Sequence, residues 1–478
     1  MTVPKTPSSD HSLSASASLA PDSVRSKLAA ASKDDLVRLI ERLAADSAEV
    51  SARLDYLTDP DAAAKALQGR LRSIRSNKRF VSYSEAREVA AELGIIAADI
   101  RADVLPKEPL KAAALAEKLF SLDDVIFNRA DDSDGLIGDE LRAACVLWLD
   151  ATAAARKVNA GADADWAAAL YDLYQANDYG VREPLLEEAH RLLHENELRA
   201  LAARFERDAR AVLERPKHGN REFHDVFAPS SAMGLIARAL RDPVLHERSI
   251  RIHSPDPNEL QAIDIASHYV ECGDAAGALR WLGHPFAQNN EYQRLDLLDS
   301  AYALLGDRPR QIDIRRERYR RAPGIHTYRA LEEILPPSER SALRDHACQD
   351  AKSNPHVATA AELLFALEEP LLAEQLIIDR ASELDGRNYV LLTSLVEAAT
   401  ANRRWLAATI IWRALLDAIL TRGYAKAYAH AARYLRELRA TAPQIEDFHG
   451  HPTHADYERS LWMAHGRKTS FWQRLSDA

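Results

Sequence analysis

The chain has 478 residues, with 62 Lys and Arg against 72 Asp and Glu, and 47% of its residues are hydrophobic. This length exceeds what one compact core accommodates, so we expect two or three folding units or one extended array. The net charge of −10 argues against a dedicated nucleic-acid-binding protein, because such domains are usually basic. The small numbers of Gly (17) and Pro (21) argue against a β-rich fold with many tight turns.

The first half of the chain predicts a tail followed by helices. Residues 1–31 are rich in Ser, Ala and Pro and predict a disordered tail. Ser32 is placed to cap the first helix, because Asp34 and Asp35 follow in its first turn. Apolar residues at helical spacing predict further helices, in chain order, over residues 61–74, 85–102, 109–128, 141–157, 166–177, 183–194 and 198–213. No segment shows the alternation of a β-strand, so the predicted fold class is all-α.

The second half predicts paired helices at a regular interval. Turns are expected near residues 273, 306, 337, 369 and 402, and successive turns are 31 to 33 residues apart. Two helices per interval of this length are typical of a TPR-like helical-hairpin α-solenoid, in which each hairpin completes the core of the next. We predict an N-terminal helical region over residues 32–225, TPR-like repeats over 226–445, and a capping helix rich in His, Arg and Trp within 446–478.

Cysteine usage and hydropathy indicate the compartment. The three cysteines are far apart in sequence, at Cys145, Cys272 and Cys348. This spacing argues against a disulfide framework and against a Cys-rich zinc site, and it fits a reducing cytoplasm. The N-terminus lacks the apolar segment of a signal peptide. The longest apolar stretch, residues 406–420, is interrupted by Arg413 and Asp417, so we expect no membrane contact and a cytoplasmic location.

Three segments resemble a known family. They read NKRFVSYSEAREVAAEL at 77–93, LDDVIFNRADDSDGLIGDELRAA at 122–144 with AND and YG at 176–180, and HGRKTSFW at 465–472. Together they resemble an uncharacterised, mostly proteobacterial family of domains of unknown function, which is similar to the α-helical C-terminal regions of bacterial SWIM zinc-finger proteins. The resemblance implies a helical solenoid from about residue 32 onward. A SWIM finger needs C-x-C followed by C-x-H, which this chain lacks, so zinc binding is not implied.

An acidic loop is the first candidate binding site. The loop carries three carboxylates, those of Asp131, Asp132 and Asp134. The loop is similar to a calcium-binding loop, but with Gly135 at the sixth position the first and twelfth positions are Ala130 and Leu141, which supply no side-chain ligand. The alternative interpretation is a helix–helix connection whose carboxylates cap the next helix.

Histidines offer weaker candidates for metal binding. His190 and His194 would share a helix face, but Arg191 stands where a zinc protease needs Glu. Four more histidines lie near the C-terminus: His449, His451, His454 and His465. Their density could hold a transition metal, yet their spacing matches no standard site. We therefore predict neither a metal nor another cofactor.

Basic residues provide two further candidates. Arg315 and Arg318 lie on one stripe of an Arg-rich helix and could contact phosphates, or could form ion pairs on a solvated face. The C-terminal segment carries Arg467, Lys468, Phe471 and Trp472. These residues could anchor a partner, or the two aromatic rings could fold back and cap the last hairpin.

No phosphate-binding loop, dinucleotide fingerprint or nucleophile elbow occurs in the sequence. We therefore predict a non-catalytic protein-interaction scaffold that offers a solenoid surface to a protein partner, and not an enzyme. The alternative is an accessory factor that contacts nucleic acid through its Arg-rich helix faces. A third hypothesis is a metal-dependent enzyme assembled from the acidic loop and the histidine-rich tail.

Overall fold

The structure is a computed structural model that describes residues 21–47, 50, 54, 59–161, 164–214 and 221–476. These residues form α-helices joined by turns and contain no β-strand; Val81 and Ala130 make one isolated bridge. The all-α prediction is therefore confirmed. The chain divides into two compact units, Met1–Asp256 and Pro257–Ala478. The predicted start of the repeats at residue 226 lies inside a helix of the first unit.

Helices make up the first unit. In chain order they are α1 (Pro21–Ala30), α2 (Lys33–Asp46), α3 (Pro60–Ser76), α4 (Tyr83–Asp99), α5 (Pro109–Phe120), α6 (Asp123–Phe127), α7 (Leu136–Lys157), α8 (Trp166–Gln175), α9 (Pro184–Glu187), α10 (Glu195–Leu213), α11 (Arg221–Leu240) and α12 (Pro243–His253). A π turn, Ile100–Val104, extends α4. The core is centred on α7, whose buried residues include Leu141 and Trp148.

Local signals account for several of these helix ends. Ser32 caps α2 as predicted, because its hydroxyl accepts a hydrogen bond from the Asp35 amide at 3.2 Å. Residues 1–20 of the predicted tail lie outside the described residues, whereas Pro21–Ala30, also assigned to the tail, form α1. The predicted helix over 109–128 is two helices, and the one over 183–194 is the short α9 followed by a 3-10 turn.

The second unit is a series of helical hairpins and a C-terminal pair. Its helices are α13 (Glu259–Glu271), α14 (Ala275–Trp281), α15 (Gln288–Leu305), α16 (Arg308–Arg321), α17 (Ile325–Ile334), α18 (Pro337–Ser353), α19 (Val357–Ala366), α20 (Pro370–Asp379), α21 (Tyr389–Ala401), α22 (Trp405–Thr421), α23 (Tyr428–Thr441), α24 (His454–His465) and α25 (Thr469–Ser476). Four of the predicted turns, at 273, 306, 369 and 402, fall between two of these helices, and the fifth, at 337, falls on the first residue of α18. The single predicted capping helix is two helices, α24 and α25.

Neighbouring hairpins pack through corresponding helices. The first helix of one hairpin contacts the first helix of the next in α13 with α15, and in α19 with α21. The second helices α20 and α22 contact each other in the same way. Apolar side chains such as Leu376, Leu392 and Ile411 are buried between them. The hairpins α19–α20 and α21–α22 thus bury apolar surface that neither could bury alone.

Four of the tight turns share a backbone feature. Gly273 and Gly306 have positive φ values of 82° and 66°, and the corresponding turns of later hairpins place Glu368 and Arg403 at 60° and 56°. Glycine adopts this left-handed conformation without strain, whereas a side chain with a Cβ does not. These four turns therefore share the left-handed residue even where the sequence has no glycine, whereas the turn between α17 and α18, at Leu335 and Pro336, has negative φ values.

Candidate functional site

The second unit contains a cavity of about 730 Å³ against one face of α22. The residues of α22 that line it are Ile410, Arg413, Ala414, Asp417, Ala418 and Thr421. Intervals of three and four residues place all of them on the same side of the helix. The rest of the wall comes from Arg422 just after α22, from the turn at residues 381–387, from His451 and Pro452, and from Tyr457 of α24. Segments that are distant in sequence therefore build this cavity together.

Gly386 allows the turn at 381–387 to lie directly against α22. A Cβ atom at this position would stand 1.9 Å from the backbone oxygen of Ala414. Real Cβ atoms do not approach backbone oxygens so closely, so only glycine fits here. The close contact holds the turn beside the α22 residues that line the cavity.

Arg413 is the unusual residue of this wall. It is only 7% exposed, and its Nη1 donates to the backbone oxygen of Pro452 at 2.9 Å. Its guanidinium lies 4.5 Å from the ring centre of Tyr457. The other two nitrogens, Nε and Nη2, are buried and have no hydrogen-bond partner among the described residues. Burial lowers the pKa of Arg413, although Tyr457 and Asp417 oppose that shift.

Asp417 lies one helical turn beyond Arg413 but is held by a different partner. The hydroxyl of Tyr457 donates to Asp417 Oδ1 at 2.7 Å. Burial raises the pKa of Asp417, while the Tyr457 hydrogen bond and the positive charges of His465 and Arg413 oppose this rise. Among the described residues, no carboxylate is close enough to Arg413 to form an ion pair. The positive charge of Arg413 is therefore balanced only by Asp417, which is too far away to form an ion pair with it.

The other polar groups of the cavity are mostly engaged. Arg387 binds the carboxylate of Asp385 at 2.8 Å, and its hydrogen bonds lower the pKa of Asp385 to about 2. His451 Nε2 lies 3.1 Å from the backbone oxygen of Ile378, and since a carbonyl only accepts, this nitrogen carries the proton. Arg422 is exposed and also lines an adjoining cavity of about 610 Å³.

Together these groups favour anion binding. Burying a guanidinium whose Nε and Nη2 have no hydrogen-bond partner among the described residues costs free energy, and both nitrogens lie beneath the surface of the wall. The cavity wall supplies this positive charge, apolar surface from Ile410 and Ala414, and a second arginine at Arg422. The positive charges of Arg413 and Arg422 would attract a negatively charged group towards this wall.

The acidic loop lies in the first unit and is engaged within the chain. Asp132 accepts from the amides of Ile137 and Gly138, both at 2.9 Å, and so caps α7. Asp131 accepts from the hydroxyl of Ser133, and Asp134 from the hydroxyl of Tyr83 at 2.6 Å. The capping interpretation is confirmed for Asp132. A ligand-binding role for these three carboxylates stays a prediction.

Arg315 and Arg318 on α16 face acidic residues of α15. Arg315 Nε donates to Asp299 at 2.8 Å, and its Nη1 donates to the backbone oxygen of Ala330 at 2.5 Å. Arg318 forms an ion pair with Asp296. These contacts place both guanidinium groups in ion pairs between neighbouring helices. Their role in contacting phosphates stays a prediction.

The C-terminal residues divide into an exposed part and a buried part. Arg467 is exposed and Lys468 is half-buried. Phe471 is fully buried and packs edge-to-face with Tyr428 of α23, their ring centres 6.0 Å apart. Trp472 is half-buried, and its Nε1 donates to the backbone oxygen of His465 at 3.0 Å. The two rings therefore fold back on the preceding helices.

The predicted site residues do not converge on one site in the second unit. Among the described residues, no hydrogen bond or ion pair joins Arg315 and Arg318 to the segment from Arg467 to Trp472. The residues that the structure describes also contain no group of three or more His, Cys, Asp or Glu side chains that could hold a metal ion. The described helices also include none that combines the length and the apolar character needed to cross a membrane.

Sequence reasoning did not single out Arg413 and Asp417 as site residues. A signal was present, because both charges interrupt the most apolar stretch of the chain at an interval of four residues. From the sequence alone, such a pair is equally typical of the polar stripe of a surface helix. Only the neighbouring turn and α24 show that this stripe is a buried cavity wall.

Comparison with models of protein families assigns most of the chain to one family. The family model for DUF6880, a family of unknown function, matches residues 28–474. The chain belongs to this family. The match covers α2 to α24 and includes every residue of the Arg413 cavity. Neither the curated proteins nor the solved structures include a significant match to the chain.

Proposed function

We propose that this DUF6880 member is a non-catalytic protein-interaction scaffold. In this proposal the hairpins of the second unit stack as a TPR-like solenoid, and their surface holds a protein partner. The observation that carries the proposal is the packing of α13 on α15, α19 on α21 and α20 on α22, which repeats the same helix-to-helix relationship. The shared left-handed turns at Gly273, Gly306, Glu368 and Arg403 support the same repeat.

Exposed apolar side chains mark where the partner would bind. Leu371 at the start of α20 is 68% exposed, and Tyr389 and Val390 at the start of α21 are about as exposed. These residues lie on neighbouring hairpins of the second unit, and Tyr389 also lines the 610 Å³ cavity. An exposed apolar residue beside a cavity, such as Tyr389, is typical of protein-binding surfaces.

Nucleic acid is the alternative partner, and the contacts of α16 weigh against it. The guanidinium groups of Arg315 and Arg318 already bind Asp299 and Asp296. A phosphate would have to displace a carboxylate from each of them. A protein partner bound elsewhere on the surface would leave both of these ion pairs intact.

The proposal extends to the setting of the protein. Three free cysteines are compatible with a reducing compartment, so we place the protein in the cytoplasm. The resemblance to helical regions of bacterial SWIM zinc-finger proteins supports a bacterial origin and a helical solenoid.

Site-specific crosslinking tests the scaffold. A photoreactive amino acid replaces Tyr389 in the full chain, and the matched control carries it at Val158 of the first unit, which is 68% exposed. We expect one defined protein to crosslink in cells from position 389 and not from position 158. Equal crosslinking from both positions, or none from position 389, would contradict the proposal.

A further inference from the structure

The cavity of about 610 Å³ at the end of α22 differs from the larger cavity beside it in the charge of its walls. Asp385 and Asp417 line the larger cavity, and Asp178 and Asp208 line a cavity of about 480 Å³ in the first unit. Among the described residues, no Asp or Glu lines the 610 Å³ cavity. Its walls therefore lack negative charge, although the chain as a whole has a net charge of −10.

Three tyrosines from different parts of the second unit line this cavity, which we call the tyrosine cavity. Tyr389 begins α21, Tyr424 lies in the turn between α22 and α23, and Tyr434 lies on α23. Tyr389 and Tyr424 are 66% and 53% exposed, whereas Tyr434 is buried. Exposed tyrosine rings bury a large apolar area when a partner covers them, and they are enriched at protein interfaces.

Two arginines and a histidine supply the polar part of the tyrosine cavity. Arg422 directly follows α22, and His430 and Arg433 lie on α23. All three residues are exposed, so a ligand can approach them from solvent. Among the described residues, none of their side chains takes part in a hydrogen bond or an ion pair. Their donors are therefore available to an incoming acceptor.

Two further cations lie at the tyrosine cavity and differ in how far they are neutralised. Arg387 lines it, but its charge is matched by Asp385 at 2.8 Å. Lys468, which the sequence predicts as a partner anchor, lies near its rim, because a Cβ atom at Gly423 would stand 3.9 Å from the Lys468 Nζ. Gly423 directly follows Arg422 in the chain. Uncompensated positive charge is therefore concentrated at this end of α22.

Positive charge beside exposed tyrosine rings favours an acidic protein segment as the ligand. The carboxylates of Asp and Glu match the paired donors of a guanidinium group, and an apolar side chain of the same segment can cover the rings. Nucleic acid carries a charge on every phosphate, and the net charge of −10 would repel such a polyanion. A short acidic segment needs only the local positive charge.

We infer that the tyrosine cavity binds an acidic segment of a protein partner. Carboxylates of the segment contact Arg422 and Arg433, and one of its apolar side chains packs against Tyr389 and Tyr424. The inference rests on the scaffold proposal and deepens it, because it gives the chemistry of the partner.

Fluorescence anisotropy of labelled peptides with the full chain tests this inference. In the acidic pool, Glu alternates with Phe or Leu. The amide pool has Gln in place of every Glu, and the serine pool has Ser in place of Phe and Leu. At low salt, we expect the acidic pool to bind at least about fivefold more tightly than either control pool, since charge pairing and apolar burial both contribute. Its affinity should fall as the ionic strength rises.

Substitutions locate the binding to the tyrosine cavity. Arg422→Gln combined with Arg433→Gln should weaken binding of the acidic pool at least about fivefold, because both unpaired charges are lost. The matched control combines Arg207→Gln with Arg329→Gln, since these arginines are equally exposed but lie outside the cavity. Its affinity should change by less than about twofold. Tyr389→Ala should weaken the acidic and amide pools alike, because it removes an apolar contact that both pools make.

The outcomes distinguish this inference from the scaffold proposal. If position 389 crosslinks one protein in cells but the acidic pool binds no more tightly than the amide pool, the scaffold stands and the inference is overturned. If the acidic pool binds through Arg422 and Arg433 but position 389 crosslinks nothing, the acidic-segment site stands and the scaffold is contradicted.

Three further results would overturn the inference. The first is unchanged affinity of the acidic pool in the variant that lacks both Arg422 and Arg433. The second is equally tight binding of the serine pool, which would mean that the tyrosine rings take no part. The third is tighter binding of a single-stranded oligonucleotide with the same number of charges, which would identify nucleic acid as the ligand.

Discussion

Arg182 and Asp123 form a buried two-point ion pair in the first unit. Arg182 Nε lies 2.7 Å from one carboxylate oxygen of Asp123, and Nη2 lies 2.9 Å from the other. Their side chains are only 8% and 2% exposed. The pair joins the start of α6 to the turn before α9, although 59 residues separate the two in sequence. It thereby fixes two short helices that would have little stability alone.

Removing the Asp123 charge should destabilise the first unit strongly. Asp123→Asn leaves the Arg182 guanidinium buried without a counter-charge, and we expect a loss of about 3–5 kcal/mol in the free energy of unfolding. The neighbouring Asp124 offers a matched control, because its ion pair with Arg75 is exposed. Asp124→Asn should change stability by less than about 0.5 kcal/mol. Urea unfolding followed by circular dichroism measures both, and equal losses would show that burial of the pair is unimportant.

The hairpin turns predict opposite effects of adding and removing glycine. Arg403 is exposed and held at a φ of 56°, so Arg403→Gly should relieve strain and stabilise the second unit by about 1 kcal/mol. Gly306 has the same backbone geometry and open space around its Cα, so Gly306→Ala should destabilise by about 1 kcal/mol through strain alone. Denaturant unfolding of both variants checks this relation. Changes of the same sign would mean that the two turns are not equivalent.

The ionised form of Asp417 should lower the free energy of unfolding at neutral pH. Its pKa is raised by burial above the ordinary value of 3.8, so the protonated carboxyl contributes stability that is complete below pH 3.8 and is lost as the pH rises through the folded-state pKa. Asp417→Asn resembles the protonated form and still accepts from Tyr457. We therefore expect a higher melting temperature than that of the unaltered chain at pH 7, and a difference that shrinks as the pH falls towards 4.

Asp385 lines the same cavity and serves as the control with the opposite sign. Hydrogen bonds from Arg387 lower its pKa to about 2, so its ionised form contributes stability above pH 3.8 that is lost as the pH falls towards 2. Asp385→Asn should therefore not raise the melting temperature at pH 7. If both substitutions raised it equally, a general effect of removing negative charge would explain the result.

One buried and one exposed residue near the C-terminus should differ widely in their contribution to stability. Phe471 is fully buried against Tyr428, so Phe471→Ala should cost about 3–5 kcal/mol of stability. Met463 on α24 is 75% exposed, and Met463→Ala should change stability by less than about 0.5 kcal/mol. Thermal unfolding compares the two. A small effect of Phe471→Ala would mean that this ring does not complete the core of the second unit.

Local sequence patterns predicted the helices best where a cap or turn marked the boundary. Ser32 and the turns near 273 and 306 lie where the pattern placed them, because capping side chains and glycines act on adjacent residues. The start of α7 was misplaced by five residues. Asp132 caps this helix from a loop position, and the sequence did not show which carboxylate reaches the free amides.

The amino-acid sequence by itself determined that this protein is built of paired helices, since helical periodicity and turn residues depend on neighbours a few positions away. The tertiary structure decided which charges find partners. Arg182 meets Asp123 and Arg315 meets Asp299, whereas Arg413, in an equally apolar setting, meets a tyrosine ring and a backbone oxygen. The electrostatic environment of a buried charge depends on residues far away in the chain, so only the packed fold identifies the arginine whose Nε and Nη2 stay unpaired among the described residues.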